Sequence, residues 1–234
     1  MPHPFSNYTK DPAWDDEKKI DSREQGIILS YHESFGRDSI PEDKQYWTMC
    51  GAYFNETTKE KLHGELGQLT DVGLIKPEQF HGVDCEEVTI KDNLEAYPDI
   101  NWHHGDFKEV MGQAAYENRF DPAIINYDGV MQPEFGAKYL KSIMKFVDHN
   151  VKGELMLVAN FMVNNPHSKQ RLEEAYIINE AKSIADEFEQ SNDFKFVWSD
   201  PSWNVLNDGE HIKFYLYRTS ETNMASYIFW RKAI

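Results

Sequence analysis

The chain has 234 residues, 40% of them hydrophobic and 14% aromatic, which suffices for one large domain with a packed core and argues against a disordered polypeptide. Forty acidic residues against 24 basic ones give a formal net charge of −16, a balance that repels phosphate backbones and disfavours general nucleic-acid coating. No apolar run approaches the roughly 20 residues of a membrane-spanning helix, the N-terminus lacks the basic start and apolar stretch of a secretory signal, and two cysteines are too few for a disulfide framework.

These features lead to the expectation of a cytoplasmic protein with reduced thiols and no membrane partner. Its acidic surface keeps it soluble, meets a basic protein partner or mimics DNA.

In chain order, residues 1–43 read as an N-terminal arm. It is charged at Asp15-Asp16-Glu17-Lys18-Lys19, with an apolar segment, Gln25 to Tyr31, that suits a helix or a lid. Residues 44–234 read as one α/β domain. Its first strand is expected over Tyr46–Gly51, a helix over the polar stretch Asn55–Gln68, and a second short helical pattern over Leu66–Ile75. Three short apolar runs then alternate with helix-length stretches and end in polar residues: Phe80 to Asp84, Ile100 to His104 before Gly105-Asp106, and Pro122 to Ile125 before Asn126-Tyr127-Asp128-Gly129. Helices are expected over Cys85–Leu94, Phe107–Asn118, Pro133–Val147 and Lys169–Glu189, and a buried strand over Glu154–Phe161. The last fifty residues turn β-rich at Phe194–Trp198, Lys213–Arg218 and Ala225–Trp230, the last two suiting an antiparallel hairpin at the sheet edge.

Strand–helix alternation predicts a parallel sheet with right-handed crossovers, so all the strand ends face one side, and ligands of such sheets bind there. Asp84, Asp106 and Asp128 would then share one rim. The chain contains no Gly-x-Ser-x-Gly elbow, no phosphate loop ending in Gly-Lys-Ser/Thr and no Gly-x-Gly-x-x-Gly, so hydrolase, nucleotide triphosphatase and classical dinucleotide readings lack their signatures. Cys50, Cys85, His103 and His104 are zinc-type ligands near strand ends, but their spacing fits no compact ligand pattern, and adjacent His103 and His104 point to opposite sides of a strand.

Over residues 44–234 this order resembles the class I S-adenosylmethionine-dependent methyltransferase fold. The resemblance implies a three-layer α/β sandwich with a mostly parallel central sheet and an antiparallel C-terminal hairpin. It also implies a cofactor, S-adenosylmethionine or a related nucleoside. By position, Gly51, Asp84, Cys85, Asp106 and Phe107 would surround it, with Asp84 on the ribose and Gly105-Asp106-Phe107 at the adenine. Asn126, Tyr127 and Asp128 would face the methyl acceptor as the catalytic set, with the arm before residue 44 helping to cover it.

A carboxylate accepts two hydroxyl donors at once, and an aromatic ring covers a purine face. Methyl transfer rests mostly on alignment, so it needs no catalytic His or Cys. Each acid also has a plainer use: Asp84 or Asp106 as a helix cap, Asp128 as a turn residue. The chain departs from the family at its first loop, Met49 to Asn55, which carries one glycine where the family's loop is glycine-rich. That departure leaves open a second reading, a non-catalytic acidic interaction protein on a degenerate methyltransferase fold.

Overall fold

A computed structural model of the chain describes residues 17–49, 54–55, 60–61, 64–128, 133–163, 174–190, 202–209, 212–218 and 223–233. Eight strands form one sheet: β1 (Gln45–Met49), β4 (Phe80–Asp84), β5 (Asn101–His104), β6 (Pro122–Asp128), β7 (Leu155–Met162), β8 (Asn204–Val205), β9 (Phe214–Arg218) and β10 (Asn223–Arg231). The spatial order is β5-β4-β1-β6-β7-β10, with β8 and β9 both on the outer edge of β10. Strands β5, β4, β1, β6 and β7 run parallel, and β10 is antiparallel to β7 and to β9. A separate two-stranded ribbon pairs β2 (Phe54–Asn55) with β3 (Glu60–Lys61).

The five parallel strands are bounded by residues that accept the crossovers. β6 and β7 are buried along nearly their whole length, the continuous apolar pattern of a strand covered on both faces. One core lies under α5 (Phe107–Tyr116), α6 (Pro133–Asn150) and α7 (Glu174–Gln190), where Trp47, Ile125, Tyr127 and Leu157 meet Met111, Leu140, Ile143 and Ala181. The other lies under the N-terminal helices, α3 (Gly64–Asp71) and α4 (Glu87–Ala96), where Tyr46, Phe80, Ile124 and Val158 meet Ile27, Leu69 and Ile90. This is the expected three-layer sandwich with its antiparallel C-terminal strands.

One expectation needs correction. The stretch 55–68 is not one helix: β2 and β3 interrupt it, and Gly64 adopts φ 49°, a left-handed backbone that lies outside a right-handed helix and stands where α3 begins. The strand expected over Phe194–Trp198 and the loop glycine Gly51 lie outside the described residues.

Residues 17–35 form a continuous helical run: α1 (Glu17–Arg23), a π-helical stretch (Glu24–Leu29) and α2 (Ser30–Phe35), ending at Gly36 with φ 66°. Ser30 Oγ donates to Gln25 O, five residues back, at 2.7 Å. The run is tied to the domain by Gln68 Nε2 on Ile20 O at 2.8 Å and by Lys213 Nζ on Glu33 at 2.9 Å. Gly26, in the π-helical stretch, comes close to β10: a Cβ there would lie 3.5 Å from Ser226 Cβ. Among the described residues no helix is long and apolar enough to cross a membrane.

Candidate functional site at the strand ends

Parallel pairing brings Met49, Asp84, His104, Asp128 and Met162 to one edge, so the acids read from sequence do share a rim. Strand pleating then sorts neighbours onto opposite faces. Asn126 and Asp128 face the N-terminal helical run. They line a cleft with Lys19, Ser22, Arg23 and Glu65 whose cavity volume is about 30 Å³ and which opens in part to solvent. Tyr127, between them, turns to the other side, where its ring is fully buried and stacks on Tyr139 at 5.2 Å. Burial first, then the hydroxyl of Tyr139 and the carboxylates of Asp128 and Asp106, push its phenol above the ordinary range. The three residues expected to act together are therefore split between two faces.

The floor of the cleft is a chain of hydrogen bonds across four strands. Glu65, at the start of α3, is 8% exposed and accepts from Tyr46 Oη at 2.6 Å. It also accepts from Asn126 Nδ2, at 3.1 Å on one oxygen and 3.3 Å on the other. Asn126 Oδ1 in turn accepts from Asn160 Nδ2 at 3.0 Å, and Asn160 Oδ1 accepts from Ser226 Oγ. Because Asn160 occupies the oxygen of Asn126, the amide nitrogen must face Glu65, which fixes the carboxylate in place.

Sequence reasoning missed Glu65, Asn160 and Ser226. The signal for them was two asparagines inside apolar strand runs, Ile124-Ile125-Asn126 and Val158-Ala159-Asn160, each of which needs a buried partner.

Farther along the rim, Asp84 Oδ1 accepts from Glu86 N at 2.8 Å. It thus holds the turn into α4, whose N-cap is Glu86. Among the described residues nothing donates to Asp84 Oδ2. Burial, more than the nearby Glu86 charge, pushes its acid constant up to about 6. A half-buried carboxylate with an unused oxygen at a strand end fits a pair of ligand hydroxyls.

Asp106 is more occupied: it caps α5 through Lys108 N at 3.0 Å and Glu109 N at 3.1 Å, and Tyr139 Oη lies 3.2 Å from both its oxygens. Phe107 is 2% exposed and sits in the core under α5, so only its backbone is near the rim. Cys85 is an exposed thiol whose acid constant is raised, first by burial and then by Asp84 and Glu86. The two histidines diverge as a strand requires: His104 Nε2 meets Cys85 O at 3.1 Å, while His103 faces His81.

No protein-family model matches the chain, and no curated protein matches it in sequence. Solved structures do match in three dimensions. The plantazolicin methyltransferase BpumL in complex with SAH aligns at a TM-score of 0.56 with 12% identity, over 99% of this chain and 91% of that one. The plantazolicin methyltransferase BamL, in complex with a triazolic desmethylPZN analog and SAH, aligns at 0.50 with 11% identity, over 93% and 86%.

The fold is that of a class I methyltransferase. Within it the described cleft lies at the ends of β1, β6 and β7, while Asp84 lies one strand away at the end of β4.

Proposed function

We propose that the protein is an S-adenosylmethionine-dependent methyltransferase, with Asp84 on the cofactor's ribose and the cleft beneath residues 17–35 receiving the acceptor. The observation that carries this is the Asp84 carboxylate, held in a low-solvation strand end with one oxygen that meets no donor among the described residues. The SAH in the BpumL and BamL complexes supports the same cofactor class. The cofactor supplies a methyl group on a sulfonium.

The chain's own residues bind, orient and exclude water. Asp84 accepts hydroxyl donors, while Asp106, fixed by α5, supplies negative potential beside them. The loop holding Gly51, and Cys85 with the Phe107 backbone, complete the cofactor side. On the acceptor side Asp128 lines the cleft directly. Asn126 acts as a positioning residue, since its amide is spent on Glu65 and Asn160. Tyr127 stacks on Tyr139, whose hydroxyl meets Asp106 at the rim. Residues 1–43 serve as arm and lid, and 44–234 as the methyltransferase-like domain.

Calorimetric titration with S-adenosylmethionine tests the proposal. Saturable binding weakened at least about tenfold by Asp84→Ala, a loss of about 1.4 kcal/mol, is expected. No heat and no thermal shift at millimolar cofactor would overturn it. That outcome favours the non-catalytic interaction protein, a reading supported by the single-glycine first loop and by an Asn126 only 3% exposed.

A further inference from the structure

Nothing in a class I fold dictates what the acceptor cleft recognises; here the cleft's own chemistry does. Glu65 is buried, lines the cleft and is gripped from one side by Tyr46 and Asn126. The grip runs through Asn126, Asn160 and Ser226 into β6, β7 and β10, so the carboxylate rests on buried strands in the middle of the sheet.

Across the cleft the roof contributes cations, Lys19 and Arg23. Arg23 Nε stands 4.0 Å from Glu65 Oε2, close enough to offset its charge and too far for a hydrogen bond. A buried carboxylate is strongly stabilised by a donor in direct contact, and charge-assisted hydrogen bonds form at about 2.7–2.9 Å. Asp128 adds a second carboxylate to the lining, which disfavours an anion at the floor.

We propose that the cleft recognises its acceptor through a protonated amine that hydrogen-bonds Glu65 Oε2, in competition with the guanidinium of Arg23. The inference deepens the methyltransferase reading, on which it rests only for the bound molecule's role as acceptor; the ammonium anchors that molecule and is not itself the methylated atom, and its binding stands apart from the cofactor.

Thermal-shift titrations without cofactor, using n-butylammonium chloride, sodium butyrate and 1-butanol at equal concentrations and constant ionic strength, test it. The amine alone is expected to raise the melting temperature saturably. Glu65→Gln, which preserves shape and removes charge, should weaken that binding about tenfold or more, and Arg23→Gln should tighten it severalfold by removing the competing cation. If Glu65→Gln does not fold, the Arg23→Gln series decides alone, because a merely structural role for the roof contact predicts weaker binding there.

Saturable binding of butyrate in place of the amine, amine binding unchanged by either substitution, or no saturation by any probe would each overturn the proposal. Amine binding in a protein that ignores S-adenosylmethionine would sink the methyltransferase reading and leave this site standing. Cofactor binding with no amine response would do the reverse.

Discussion

The two faces of the sheet's central strands handle buried polarity in opposite ways. On the cleft face, Tyr46, Asn126 and Asn160 surround the buried carboxylate of Glu65 with donors. On the other face Trp47, one residue after Tyr46 in β1, stacks on His81 of β4 at 4.5 Å and on His103 of β5 at 5.1 Å, while His81 Nδ1 and His103 Nε2 share a contact of 3.1 Å. There burial drives His81 down to about 3, with His103 and Arg119 adding to the effect, and burial and Arg119 also lower His103. One face spends hydrogen bonds around an acid; the other keeps its stacked bases neutral by burying them. A network of donors costs specificity of placement and provides a site, whereas neutral stacked rings provide a core.

The sharpest way to break this contrast is at Asn126. Removing its amide with Asn126→Leu strips Glu65 of one donor and leaves Asn160 without its acceptor, so the variant should lose about 3 kcal/mol in urea unfolding. The same substitution in a Glu65→Gln background should cost at least about 1 kcal/mol less, because the two side chains are directly coupled. Additive costs would mean that Asn126 contributes through packing alone.

The histidine face makes a prediction of opposite character. A histidine whose folded value lies far below its unfolded value of about 6.5 leaves the unfolded chain to bind the proton, so stability is intact above about pH 6.5 and drains away as pH falls toward 3. At pH 5 the loss from His81 alone comes to about 2 kcal/mol. His81→Phe keeps a ring against Trp47 and abolishes that titration. Its unfolding midpoint should fall somewhat below the parent's at pH 8, where the contact with His103 is lost, and gain on the parent's as pH falls to 5. A parallel pair of pH–stability curves would show that the stack is not where acid acts.

How much of this was legible in the sequence follows from the same division. Strands such as Phe80–Asp84 and the run Pro122–Ile125 announce themselves, because apolar runs followed by Asp or Asn carry both their burial and their direction. The helical nature of Gln25–Tyr31 was also readable, although the π-helical widening there depends on how the run lies against β10. The partition of Asn126 from Tyr127 follows from the two-residue period of a strand, once that segment is known to stay extended to Asp128 rather than to turn after Ile125. Glu65 was not readable. In Gly64-Glu65-Leu66-Gly67-Gln68-Leu69 the acid looks like an exposed helix residue, and only the packing of α3 over β1 and β6 turns it inward to Tyr46 and Asn126.

Asp84 supplies the smallest effect and the most discriminating one, since it belongs to neither pattern: a carboxylate at a strand end with one donor, from Glu86, and no stacked neighbour among the described residues. Its acid constant of about 6, against an ordinary value near 3.8, means that the folded protein holds the charge at a cost above pH 6, and that the cost fades as pH falls through 6 and is gone below about 3.8. Asp84→Asn retains an oxygen for Glu86 N and removes the charge. It should therefore stabilise the ligand-free protein by about 1 kcal/mol at pH 8, discounted because a rim carboxylate keeps part of its hydration, and leave stability unchanged at pH 3.5. The same variant should lose S-adenosylmethionine binding in calorimetry. Gained stability with lost binding marks a charge retained for a ligand rather than for the fold. A variant less stable than the parent at pH 8 would instead place Asp84 with Asn126 and Glu65, among the groups that hold the domain together.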